Sequence, residues 1–213
     1  MTYRKLLPIL ALAFVGLGCG DTSEDAADQA VVEAGEPVNV IAAELMANKT
    51  RFIEAMSGLT AEQWTYQESP DRWSIAMVAE HLVKTEESSL GGIRDGVLAT
   101  DHAEPQANPD SIDGMIVALL GDRSQQFQAP DNLQPDGIYA TPQDAIDAFT
   151  AARDSMISLA EDHGDVLRHH SMDHPIGMAL DGHQWMLFVK AHADRHLEQV
   201  AQVKGHEGYP AAE

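Results

Sequence analysis

The sequence predicts an all-α protein: a four-helix bundle with a long connection between its second and third helices. Three observations carry this reading. Apolar residues recur at helical spacing in four separate stretches, no stretch alternates convincingly as a half-buried strand would, and no internal repeat appears. With 213 residues, 44% of them hydrophobic, the chain can build one domain with a core and carry a tail besides.

Charge narrows the partners. Thirteen Lys and Arg stand against 34 Asp and Glu, a net of −21, and no stretch gathers the cations into a patch. That balance excludes nucleic-acid binding through phosphate neutralisation. It also repels anionic lipid headgroups, so any membrane attachment has to be hydrophobic or covalent.

The first residues supply one. "MTYRKLLPILALAFVGLGCG" places Arg4 and Lys5 before an apolar run from Leu6 to Leu17, followed by small residues around Cys19. The run is shorter than the roughly 20 residues a bilayer-spanning helix needs, which makes residues 1–18 a secretory signal. Its end, "GLGC", resembles the lipobox of bacterial lipoproteins, departing from the usual pattern at Gly16. Cys19 is the single cysteine of the chain, so no internal disulfide is available and lipidation is its expected role. From there to Val38 the sequence is acidic, Ala-rich and without apolar periodicity, the composition of a solvated tether. The expected location is the cell envelope, lipid-anchored and facing the periplasm or exterior.

The bundle is expected over residues 39–210. Ile41, Leu45, Phe52, Met56 and Leu59 mark a first helix that ends near Gly58. A second starts near Ser74, with the stripe Ile75, Val78, Ala79, Leu82 and Ile93. Residues 100–140 are rich in Pro, Asp, Asn and Gln and read as the long connection, holding one short helix around Met115 to Leu120. The third helix opens at "TPQD", where Thr141 is the cap, Pro142 suits the first helical position and Asp144 closes a capping box; it runs to about Glu161. Residues 164–180 are too irregular to assign and leave room for a small hairpin. In the fourth helix Asp181 is the cap, with Gln184 three residues on, and the end falls near Gly205.

Two charges fall on faces that should be core. Glu86 projects onto the arc of Ile75, Leu82 and Ile93, and Arg153 lies between Phe149, Met156 and Ala160. Either they pair inside the bundle or each snorkels to the surface.

The functional signal is in "HADRHLEQVAQV". Projected at 100° per residue, Trp185, Phe188, Val189, His192, His196, Val200 and Val203 share one arc, so the two histidines interrupt an apolar stripe. Residues four apart are neighbours on one face, about 5–6 Å between Cβ atoms. Burying both rings unpartnered would cost about 1–3 kcal/mol per polar nitrogen, a cost removed by a metal that takes one lone pair from each. A third ligand has to come from another helix. His102, His163, His169, His170, His183 and His206 fall in loops or at helix ends, where exposure is the default. His81 sits in mid-helix on the shoulder of the apolar arc, beside Val78, Thr85 and Ser74, where it can line a pocket.

These stretches, "RWSIAMVAEHLVKTEE" and "HPIGMALDGHQWMLFVKAHADRHLEQVAQVK", resemble the DinB/YfiT-like superfamily of bacterial four-helix bundles. The resemblance covers roughly Asn39 to Pro210. It rests most on a mid-helix His followed about a hundred residues later by H-x3-H with Arg before the last His. It implies that His81, His192 and His196 are metal ligands and that zinc or nickel fills the site. Members include thiol-dependent transferases and isomerases, and proteins described as metal-dependent hydrolases, so the fold does not fix the reaction.

Chemistry supports the same set, since three neutral imidazoles suit Zn(II), Ni(II), Fe(II) or Cu(II) and leave coordination positions open for water or substrate. Gln199 lies near the metal arc, either bonded to a ligand or a bound water, or simply packing. His174 and Pro175 match the family's "HP" and are assigned a structural role in the turn rather than a fourth ligand. Trp73 and Trp185 are read as core, and Asp194 and Glu198 as solvated. Three readings follow: a metal-dependent hydrolase or thiol-dependent transferase acting on a small-molecule substrate, a non-catalytic metal-binding or ligand-sensing module, or a bundle whose histidines are core residues. The lack of an acidic base on the metal arc weighs against hydrolysis, and an oxidising exterior against thiol chemistry. A homodimer stays open.

Overall fold

The computed structural model describes residues 39–125 and 127–212. The signal, Cys19 and the tether lie outside the described residues.

Four long helices make the bundle: α1 (Val40–Met56), α3 (Ile75–Gly91), α5 (Pro142–His163) and α6 (Gly182–Lys204). Each starts on a side-chain cap. Asn39, Ser74, Thr141 and Asp181 accept from the backbone N–H of Ala42, Met77, Asp144 and Gln184, and the last two close the capping boxes that the sequence spells out. Asn39 has a second bond, its Nδ2 donating to Ala160 O of α5 at 2.6 Å. α1 stops just before Gly58, which takes φ +72.

Several elements are additions to the four expected. A five-residue α2 (Ala61–Thr65) carries its own capping box, Thr60 with Gln63. The short helix expected near Met115 is thirteen residues long, α4 (Pro109–Gly121), and packs along α6. α3 runs on through a π-helical turn, Gly92–Gly96, where a Cβ on Gly92 would sit 3.3 Å from the Trp185 ring. The irregular segment before α6 holds the hairpin, β1 (Ser171–His174) and β2 (Met178–Asp181), antiparallel with Ser171 opposite Asp181 and His174 opposite Met178. Its three-residue loop ends at Gly177, φ +93, the position such loops reserve for glycine. None of the described helices is long and apolar enough to cross a membrane.

The core is in two parts. One, around Leu45, Ile93, Ile116, Met156, Leu180 and Met186, fills the hairpin end. The other, around Phe52, Trp64, Ile75, Leu82, Phe149, Leu197 and Val200, fills the opposite end. Between them lies a polar layer built on the pair that the sequence places on core faces. Arg153 is fully buried and Glu86 is 1% exposed. The guanidinium is bidentate on the carboxylate, with Nε at 3.0 Å from Oε2 and a second bond from Nη2 to Oε1. Its Nη1 donates to Leu45 O at 3.3 Å and Asn48 Oδ1 at 2.8 Å, and its Cζ lies 4.9 Å from the centre of the Phe149 ring, itself stacked on Phe52. Asn48 then donates to Asp194 of α6 at 2.7 Å. Asp194 is therefore not a solvated residue as the helical projection suggests: Asn48 and Arg51 hold it half-buried against α1, and Lys190 of its own helix pairs with it at 3.2 Å.

A buried ion pair is costly to break from one side, because the surviving charge is stranded. Glu86→Ala is expected to lower unfolding free energy by about 3–5 kcal/mol, and Glu86→Leu combined with Arg153→Met by clearly less than either single change, as read by urea denaturation.

Candidate metal centre

The mid-bundle placement of His81 follows from α3: seven residues after the Ser74 cap, it is two turns into the helix and faces α6. His192 and His196, one turn apart on α6, face it. The three Nε2 atoms converge. His192 Nε2 lies 3.3 Å from that of His81 and 3.2 Å from that of His196, and the three residues each offer a ligand atom within 4.8 Å of the others. His81 is buried, while His192 and His196 are half-buried.

Hydrogen bonds fix which nitrogens hold lone pairs. A carbonyl only accepts, so His81 Nδ1, 2.9 Å from Leu133 O, carries the ring proton and its Nε2 is unprotonated. His196 Nδ1 donates to Gln199 Oε1 at 2.9 Å, with the same result for its Nε2. Two lone pairs thus face His192 Nε2, which has at most one proton to offer. A cation satisfies all three. Tetrahedral zinc with bonds of about 2.0–2.1 Å would separate its ligand nitrogens by about 3.3–3.4 Å, close to the two distances between these rings. Among the described residues His192 Nδ1 is buried without a partner.

Electrostatics keep the rings neutral. Burial lowers the pKa of His81, with Lys84 adding to it and the Leu133 carbonyl opposing. Burial, then the neighbouring rings of His196 and His81, put His192 well below the ordinary value. Burial and then His81 bring His196 down to about 3. All three can donate lone pairs throughout the neutral range.

Two neighbours are not visible as such in the sequence. Trp73, expected in the core, is half-buried and walls the centre, its ring 5.1 Å from His81 and 6.3 Å from His196 and nearly parallel to the latter. Aromatic residues before a helix usually pack inward, and no spacing rule marks this one otherwise. The Leu133 carbonyl belongs to the connection before α5, in a 3-10 turn at Asp131–Leu133. A backbone acceptor leaves no side-chain signature; the only hint is the turn-forming "PDNLQPDG".

The other histidines stay apart from the centre. Of the six expected at the surface only His102 is exposed. His169 and His170 donate from Nδ1 to Ala103 O and Thr100 O, and His206 meets the Tyr66 hydroxyl at 2.6 Å. His174 has the structural place assigned to it: it ends β1, accepts the Ile176 N–H at Nδ1, and packs on Trp185 and Phe188.

A sequence profile of the DinB superfamily matches residues 44–200. The chain is also similar to the uncharacterized protein YuaE of Bacillus subtilis (strain 168), 22% identical over 149 residues that cover 70% of this chain and 88% of that protein. No solved structure matches.

His174 makes acid stability testable. Burial takes its pKa to about 4, so below about 6.5 the unfolded chain binds a proton that the folded protein refuses, and stability falls with pH across that window. His174→Asn keeps an acceptor for Ile176 and removes the titration. Its unfolding free energy should be lower at pH 7 yet fall less steeply between pH 6.5 and 4, by up to about 1.4 kcal/mol per pH unit, in denaturant titrations at each pH.

Proposed function

The chain belongs to the DinB superfamily, and on that premise we propose that it is a lipid-anchored, extracytoplasmic protein that binds one divalent metal through His81, His192 and His196. Zinc or nickel is the expected ion. The protein uses it on a small-molecule substrate, as a hydrolase or a thiol-dependent transferase. The observation that supports this most is the meeting of three Nε2 atoms at 3.2–3.3 Å, two of them with lone pairs set by Leu133 and Gln199. When bound, the ion supplies Lewis acidity to an oxygen or sulfur ligand. The chain's own part is to orient. Leu133 O and Gln199 hold ring protons at Nδ1 of His81 and His196, Trp73 covers one side of the rings, and the partial exposure of His192 and His196 leaves an approach for substrate.

A second reading, a non-catalytic metal-binding or ligand-sensing module, has one observation in its favour. Among the described residues no Asp or Glu oxygen joins the three histidines within 4.8 Å of their ligand atoms. The anchor is supported by the short apolar run of residues 6–17 and by Cys19 with no partner thiol.

Metal analysis of the purified protein should find one divalent ion per chain in wild type, none after His192→Ala or His196→Ala, and one after His183→Ala or His206→Ala. An ion that binds only the folded state adds about 2.7 kcal/mol at a hundredfold excess over Kd. Chelation should accordingly lower the melting temperature of wild type and barely move that of His196→Ala; equal shifts in both would reject the site. For the anchor, Cys19→Ser should move the protein from the membrane fraction to a soluble or unprocessed form, and wild-type fractionation of the variant would end that part of the proposal.

A further inference from the structure

His81 is flanked along its helix by two charged residues that aim at one stretch of backbone. Glu80, immediately before it, is 1% exposed. Its carboxylate accepts the N–H groups of three successive residues, Asp136 at 2.6 Å and Gly137 at 2.8 Å and Ile138 at 3.1 Å. Three consecutive N–H groups converge on one anion only if the chain turns sharply, and Gly137 supplies the turn with φ +80. Lys84, one turn further on, donates to Gln134 O and to Asp136 Oδ2, both at 2.6 Å, and lies 3.0 Å from Glu80. A buried carboxylate is expensive unless it is paired and hydrogen-bonded, and Glu80 is both, so the clamp holds only with this stretch of backbone in place. The clamped stretch begins just after Leu133, whose carbonyl holds the His81 ring proton. That carbonyl sits on a single 3-10 turn and has no sheet or helix to hold it in place.

We infer that Glu80 is a positioning residue for His81: by clamping residues 136–138 it presses the Leu133 carbonyl against Nδ1, keeps the ring proton on that nitrogen, and leaves Nε2 as the donor toward the centre. This rests on the proposed metal site for its purpose, but the ring tautomer can be read with no metal present.

The test uses the full chain with and without zinc. In metal-free wild type, nitrogen-15 NMR should show His81 protonated at Nδ1. Glu80→Gln keeps the shape, removes the charge and turns an amide toward three N–H donors. It should populate the Nε2–H form of His81, leave the His196 tautomer unchanged, and weaken zinc binding about 10–100-fold at a stoichiometry still of one. Gly137→Ala places a methyl that meets nothing within 4 Å, so it strains only the turn; it should shift both readouts in the same direction, and it decides the matter if Glu80→Gln does not fold. A purely structural glutamate would lower the melting temperature of the metal-free protein while tautomer and zinc Kd stayed within twofold of wild type, and that overturns the inference. A weaker Kd with an unchanged His81 tautomer overturns it too. If His196→Ala keeps stoichiometric zinc, the metal site is wrong, and the tautomer of metal-free Glu80→Gln still decides whether Glu80 positions His81.

Discussion

A guanidinium with no exposed atom sits where the two halves of the core meet, and the relative register of the four long helices follows from it. Arg153 reaches Glu86 on α3 and Leu45 and Asn48 on α1, and Asn48 carries the connection to Asp194 on α6. Apolar packing tolerates small slides, because one methyl group resembles another. A buried charge tolerates none, since losing its partner leaves it uncompensated in a low-dielectric interior. The residues this network fixes stand close to the candidate ligands: Glu86 is five positions after His81, and Asp194 lies between His192 and His196. A slip of one residue on either helix would move a ring by about 1.5 Å along the axis and turn it by about 100°, enough to dissolve the convergence of three nitrogens at 3.2–3.3 Å. The polar layer therefore acts as a gauge for the centre beside it.

The cover of the centre is fixed by the ligands' own neighbours. Glu80 precedes His81 and holds the end of the connection between α4 and α5. Arg195 precedes His196 and holds its beginning, donating to Asp122 O at 2.7 Å and to Gln125 O, as well as to Leu120 O in the last turn of α4 at 3.1 Å. A segment with little regular structure is thus tied to both helices that carry the candidate ligands, within one residue of a candidate ligand on each. Ring orientation and loop position are set by the same helical turns.

Periodicity and capping chemistry make most of this legible. Two helix starts are visible because Thr141 and Asp181 are capping residues ahead of apolar stripes, and the two histidines of α6 stand out because they break such a stripe; the caps at Asn39 and Ser74 emerge only from the structure. A helical projection gives a face but not a partner. It places Glu86 and Arg153 inward without deciding whether they meet, and it sends Asp194 outward although α1 packs there. Trp73 reads as core for the same reason, since what it faces depends on α6, far along the chain. The hairpin, α2 and the Leu133 carbonyl are short or depend on backbone groups, which leave no periodic mark.

One bond at the edge of the bundle has a mechanical meaning. Asn39, the first residue described, caps α1 with its oxygen and holds α5 with its nitrogen, 2.6 Å from Ala160 O. Any tension arriving along the preceding chain enters at this side chain, and it is divided between two helices before it can peel the first turn of one. Three residues up α5 from Ala160 is Ile157, and four further is Arg153, so the load path runs from the chain entry toward the fully buried guanidinium that joins α5 to α1 and α3. Pulling on the protein from its N-terminal side would load the joint that α1, α3 and α5 share rather than the first turn of α1 alone.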